Sequence, residues 1–172
     1  YEFAKDRNQF NRSITQFDMI KNKFANMLVK TWESDSLVYM TTGSIDLAIS
    51  NYSKDDPDYY VHVQKIIEDH AIEASICKVV CSESLAYIVD EGVQVLGGAG
   101  FIEEYDMACI YRDERINRIF EGTNEVNRLI VSGYTLKKAI LEELPIRDLI
   151  SSIPPIWYQD IKCADTFVKK EA

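Results

Sequence analysis

Helix breakers are scarce in this chain and they are clustered. Seven glycines and four prolines punctuate 172 residues, and the long stretches between them carry apolar side chains at helical spacing. From Ser13, a plausible N-cap, the apolar positions run Ile14, Phe17, Phe24, Met27, Leu28 and Trp32, then Leu37, Tyr39, Met40, Ile45 and Ile49. This predicts one very long helix, or two with a break near Gly43. The polar run from Asn51 to Asp58 reads as a solvated loop. A second long helix is expected from about Tyr59 to Leu96. Its apolar residues (among them Ile66, Ile67, Ala74, Cys77, Val80, Cys81, Leu85, Ile88 and Val93) fill more than one face, as in a central helix with several neighbours. Gly97-Gly98-Ala99-Gly100 ends it, where glycine permits left-handed backbone and close approach.

A shorter helix is expected from Tyr105 to Ile119, and Thr123 caps a further one from Asn124 to about Leu144, with Glu125 in its first turn. Before Pro57 there is none of the strand–turn rhythm of an all-β domain. The fold class is therefore all-α, an antiparallel bundle of about four long helices with short additional helices. After Pro145 the register changes. A short helix near Arg147 to Ile153 stops at Pro154-Pro155, and Trp157, Tyr158, Ile161, Phe167 and Val168 are too apolar for a free tail.

A net charge of −9 and a pI near 4.7 disfavour nucleic acid, which needs a basic face, and an electrostatic membrane anchor. No apolar run is long enough for a transmembrane helix. The opening, Tyr1-Glu2-Phe3-Ala4-Lys5, has no initiator Met and no targeting character, so the chain reads as a piece of a longer protein. Cys77 and Cys81 lie one helical turn apart, but with only His62 and His70 to add, no metal site is expected and buried free thiols fit better. A reducing compartment follows.

Three short segments could carry chemistry. Taken singly, each has a plain structural reading. Glu121 is a glutamate before a capped helix, Arg7 an ordinary loop arginine, and Gly97-Gly98 a helix stop. No strand precedes those glycines, so they are not a dinucleotide fingerprint of the strand–turn–helix kind. In order, however, Arg7-Asn8-Gln9-Phe10, Gln94-Val95-Leu96-Gly97-Gly98-Ala99-Gly100-Phe101 and Ile119-Phe120-Glu121-Gly122-Thr123-Asn124-Glu125-Val126 resemble the C-terminal helical domain of flavin-dependent acyl-CoA dehydrogenases. The likeness is nearest to the very-long-chain branch, which shares the run Arg118 to Asn124, and it covers roughly the first four-fifths of the chain.

The resemblance implies a function for each segment. Glu121 would take the α-proton of a fatty acyl-CoA while FAD takes a hydride from the β-carbon, giving trans-2-enoyl-CoA. An apolar setting, to which Phe120 contributes, would raise the carboxyl pKa and strengthen the base. Gly122 would let the substrate approach, and the Glu121 backbone N–H would bond the thioester carbonyl. Arg7, Gln9 and Phe10 would contact FAD of the neighbouring subunit, Arg7 through its planar fork. Gln94, Gly97 and Gly98 would lie against the adenosine half, also across the dimer. Thr123 and Glu125 would contact FAD from the same subunit as Glu121. Two departures stand out: Asn11 replaces the usual glycine after the motif phenylalanine, and Glu125 stands where many relatives carry Gln.

The implied domains are a helical bundle over 1–144 and the start of a C-terminal extension over 145–172. A homodimer or dimer of dimers, an electron-transfer flavoprotein as acceptor, a place in fatty-acid β-oxidation, and a bacterial cytoplasm or mitochondrial matrix are implied too. The isolated fragment would be inactive. Alternatives on the same scaffold are an acyl-CoA oxidase and a non-catalytic dimerisation or assembly module.

Overall fold

Two long helices set the frame, α2 (Asp18–Ile49, 32 residues) and α4 (Ala71–Leu96, 26 residues). Their side-chain pairings run in opposite numerical order. Lys23 pairs with Glu91, Asn26 with Tyr87, Cys81 with the Ser34 carbonyl, Cys77 with Thr41, and His70 with Ser44, so the helices are antiparallel. Short side chains at the buried positions of α4 (Ser75, Val79, Ser82, Ser84, Val89 and Val95) let neighbouring backbones approach.

The computed structural model describes residues 1–153 of the chain. The apolar segment Trp157 to Val168 lies outside the described residues. Two compact units are present, Tyr1–Ser132 and the residues from Gly133 on. The first begins with α1 (Glu2–Asp6), the two-residue strands β1 (Asn8–Gln9) and β2 (Arg12–Ser13), and a 3-10 turn at Ile14–Gln16. After α2 come α3 (Tyr59–Asp69), α4, α5 (Gly98–Phe101), α6 (Asp106–Glu114), a 3-10 turn at Arg115–Arg118, and the start of α7 (Asn124–Ile140). The second unit holds the rest of α7 and α8 (Ile146–Ser152). The all-α class holds, and α4 is the hub, packing against α1, α2, α3, α5 and α6.

Several boundaries differ from the sequence reading. Ser13 caps the 3-10 turn, not α2, by accepting from the Thr15 N–H at 3.3 Å, and α2 starts at Asp18. Gly43 leaves α2 unbroken. The expected helix from Tyr59 to Leu96 is two helices, because His70 leaves helical geometry (φ −95°, ψ 14°) and its ring nitrogens bond the Ile66 carbonyl and Ser44 hydroxyl. The helix expected over Tyr105 to Ile119 tightens into a 3-10 turn after Glu114, and α7 ends at Ile140, before the expected Leu144. A minimal hairpin also precedes Pro57. Its loop residues Phe10 and Asn11 are left-handed (φ 51° and 62°), the primed turn a two-residue hairpin favours, and Asn11 tolerates it where glycine was expected.

The predicted stripe of α2 is only half covered. Phe24 and Met27 line an apolar pocket with Ala4, Ile88 and Val95, whereas Leu28 and Trp32 are 71% and 70% exposed. No described element lies over that second side. Gly100 shows the opposite extreme. A Cβ there would sit 2.8 Å from the Val93 carbonyl oxygen and 2.9 Å from the Val93 Cα, both backbone atoms that cannot step aside. Gly100→Ala is expected to destabilise the protein by about 1–3 kcal/mol through this overpacking, read as a lower midpoint in urea unfolding.

Candidate active site

The chain reaches Glu121 through a turn held at its entrance. After the 3-10 turn, the N–H groups of Ile119 and Phe120 both donate to the Ile116 carbonyl, at 2.8 and 3.1 Å. Glu121 (φ 55°) and Gly122 (φ 80°) then follow in left-handed conformation. For glutamate this costs about 1–2 kcal/mol, so surrounding contacts must hold it. Beyond the turn, Thr123 caps α7 by accepting from the Val126 N–H at 3.3 Å. Hydrogen bonds from its own backbone N–H and the Thr123 hydroxyl hold the Glu125 carboxyl below its usual range.

A polar network fastens this segment to α4. Lys78 Nζ donates to the Gly122 carbonyl at 2.8 Å and to Asn124 Oδ1 at 2.6 Å. Asn124, only 2% exposed, donates through Nδ2 to Ser82 Oγ (3.0 Å) and Glu83 Oε1 (3.2 Å). Asn127 Nδ2 donates to the carbonyls of Gly122 (2.9 Å) and Thr123 (3.1 Å). Arg128 pairs with Glu83 at 2.5 Å. Burial pushes the Glu83 carboxyl up, but the hydrogen bonds from Arg128 and Asn124, with the charges of Arg128 and Arg118, outweigh it and hold the group below the usual range. Just upstream, the buried Glu114 carboxylate accepts from Arg118 at 3.1 Å, bracing the 3-10 turn.

Glu121 and Phe120 line a cleft of about 290 Å3 with Lys78, Cys81, Ser82, Leu85 and Asn117. The apolar setting expected for Glu121 is only partly present. Leu85 and Phe120 supply it, Lys78, Ser82 and Asn117 interrupt it, and Glu121 is exposed on this chain because the cleft is open.

A second cleft, of about 500 Å3, brings two of the distant segments together. Arg7 and Gln9 line it with Gly97, Gly98, Phe3, Ile14 and Tyr105. The Arg7 backbone is fixed on both sides, its N–H donating to Phe3 and its carbonyl accepting from the Ile14 N–H. Gly97 (φ 61°) ends α4, and a Cβ on Gly97 or Gly98 would meet nothing within 4 Å, so their backbone faces open space. An arginine fork, an amide and bare backbone around one hollow fit a phosphate-bearing ligand. Two predicted residues stay outside it. Phe10, 86% exposed, sits at the hairpin tip edge-on to Phe17, and Gln94 is exposed on α4 but does not line the cleft. Thr123 and Glu125 belong to the Glu121 segment, and the two clefts share no lining residue.

Among the described residues no group of three or more His, Cys, Asp or Glu could hold a metal ion, and no helix is long and apolar enough to cross a membrane.

The family model for the acyl-CoA dehydrogenase C-terminal domain matches residues 1–134. The chain belongs to this family. A probable acyl-CoA dehydrogenase of Bacillus subtilis (strain 168) is 44% identical over 151 residues, covering 88% of this chain and 25% of the relative. The mitochondrial very long-chain specific acyl-CoA dehydrogenase of Mus musculus is 34% identical over 131 residues, 76% of this chain and 17% of the relative. The crystal structure of an acyl-CoA dehydrogenase complexed with FAD from Bacillus anthracis superposes with a TM-score of 0.80 at 48% identity, covering 86% of this chain and 25% of that one. The chain thus spans a quarter of the first of these curated relatives and 17% of the second.

Within this acyl-CoA dehydrogenase domain, sequence reading missed Lys78, Ser82, Asn124 and Asn127. A signal was present: Lys78 and Ser82 are four apart, on one face of α4, and Asn124 and Asn127 sit one turn apart at a helix start. The lowered pKa of Glu83 fixes the sign of a pH effect. The unfolded chain binds the proton more readily, so the contribution is present above the ordinary value of 4.5 and is lost as pH falls through the lowered folded value. Melting temperature followed from about pH 6 to about pH 3 should fall less steeply in Glu83→Gln than in the parent, by a modest amount because the side chain is partly exposed.

Proposed function

We propose that the chain is the C-terminal helical part of an FAD-dependent acyl-CoA dehydrogenase that oxidises a fatty acyl-CoA to trans-2-enoyl-CoA, with Glu121 as the base. The observation that carries this reading is the turn itself: a glutamate held in left-handed backbone at the lip of a cleft, between a braced entrance and a capped helix. Glu121 takes the proton from the carbon next to the thioester carbonyl, and its own backbone N–H donates to that carbonyl as negative charge develops there. Phe120 supplies apolar surface beside the acyl chain. Gly122, without a side chain, lets the thioester lie against the backbone. FAD, when bound, accepts the hydride that leaves the β-carbon.

The cleft of Arg7, Gln9, Gly97 and Gly98 supports a cofactor-holding role. Arg7 bonds the pyrophosphate, with Phe10 at the hairpin tip, while Gln94 and the glycines face the adenosine half. Thr123 and Glu125 hold FAD on the Glu121 side. Since the two clefts have separate linings, a homodimer or dimer of dimers, in which each cofactor meets both, is the assembly we propose. The uncovered apolar side of α2 supports such association. Electrons then pass to an electron-transfer flavoprotein, in a bacterial cytoplasm or mitochondrial matrix.

Arg7→Ala in the full-length protein should release FAD more readily with the fold unchanged, through loss of a charge-assisted contact worth about 1.5–3 kcal/mol. Flavin absorbance retained after gel filtration measures it, and undiminished occupancy would contradict the role. Glu121→Gln should keep flavin and substrate binding but slow acyl-CoA-dependent flavin bleaching by roughly 10²–10⁴-fold. Stopped-flow absorbance reads this directly. A rate within a few-fold of the parent would move the base elsewhere, and a parent protein that acyl-CoA never bleaches would favour a non-catalytic module.

A further inference from the structure

At the exit of the Glu121 turn, the Gly122 carbonyl is held by two helices at once. The Gly122 oxygen accepts from Lys78 Nζ on α4 at 2.8 Å and from Asn127 Nδ2 on α7 at 2.9 Å. Each donor is itself located. Lys78 Nζ is tied to Asn124 Oδ1 at 2.6 Å, and Asn127 Nδ2 also reaches the Thr123 carbonyl at 3.1 Å. Since the entrance is held on the Ile116 carbonyl, the chain between the two fixed ends consists of Glu121 and Gly122 alone. Two left-handed residues then bridge a set gap, which leaves the Glu121 Cα–Cβ bond one direction.

We propose that Lys78 and Asn127 are positioning residues for Glu121, holding the Gly122 carbonyl so that the carboxylate is aimed at the substrate carbon. The proposal rests on reading Glu121 as the base. Neither residue accepts the proton. Lys78 lines the same cleft, but its ammonium has the Gly122 and Asn124 oxygens to satisfy. Releasing the clamp lets the turn relax from its left-handed geometry and swings the carboxylate. A misplacement of about 1 Å at a reacting group can cost roughly 100-fold in rate.

The test uses the full-length holoenzyme, with rates of acyl-CoA-dependent flavin reduction taken per bound flavin and substrate affinity measured separately. Lys78→Met should slow flavin reduction by about 10–100-fold, with acyl-CoA affinity changed by no more than about three-fold. Lys78→Arg, which keeps a charged donor, should recover most of the rate. Asn127→Ala should show the same split at about 10-fold. A merely structural role would lower melting temperature or flavin occupancy while leaving the rate per bound flavin unchanged, and that result overturns the proposal. Loss of flavin in Lys78→Met leaves Asn127→Ala to decide by the same criterion, and loss in both assigns the pair to folding and also overturns it. Glu121→Gln runs alongside. If that variant is fast, the base assignment fails. If it is slow while Lys78→Met and Asn127→Ala stay within about two-fold of the parent, only the positioning role fails.

Discussion

One buried amide, that of Asn124, joins the helix after Glu121 to the helix at the centre of the fold. It accepts from Lys78 and donates to Ser82 and Glu83, so three side chains of α4 converge on the first residue of α7. Such a network is stabilising only when complete, because each polar group left alone away from water forfeits its solvation. Completeness therefore sets register as well as stability. If α7 slid by one residue, Lys78 would lose its side-chain acceptor, Asn124 Oδ1, and Ser82 and Glu83 would lose their amide donor.

The length of α4 explains how the two clefts can belong to one design while sharing no residue. The middle of α4, at Lys78 and Ser82, faces the Glu121 segment, and its C-terminal end, at Val95 to Gly97, faces the hairpin that carries Arg7 and Gln9. A rigid rod of hydrogen-bonded backbone separates the two by a constant distance. The hairpin is anchored to the rod indirectly. The Ser13 hydroxyl donates to the Ala4 carbonyl, and Ala4, fully buried, packs in the pocket formed with Ile88 and Val95.

Among the described residues, the buried apolar ones are small and few: Ala4, Val79, Val89, Val95 and Ala108. Larger side chains on α2, including Met19, Leu28, Trp32 and Leu47, face outward. Apolar surface in that amount is stable in water when another surface covers it. Polar contacts at the α2–α4 seam, such as Thr41 with Cys77 and Lys23 with Glu91, orient the two helices.

From the sequence alone follow the helical class, the loop at Asn51 to Asp58, the stop at Gly97 and the Thr123 cap, because each depends on residues within a turn or two of one another. The ordered motifs also single out Glu121, Arg7 and Gly97. Other features were not legible. The break at His70 needs Ser44, which lies 26 residues away, and the half-covered stripe of α2 depends on which side α4 takes. Lys78 reaches Gly122 across 44 residues and Asn124 across 46. Periodicity states which face of a helix is apolar, yet it does not say which neighbour the face meets or at what register. The docking of α4 against the start of α7 made that choice, and with it brought Lys78 onto the carbonyl beside Glu121 that Asn127 already holds locally.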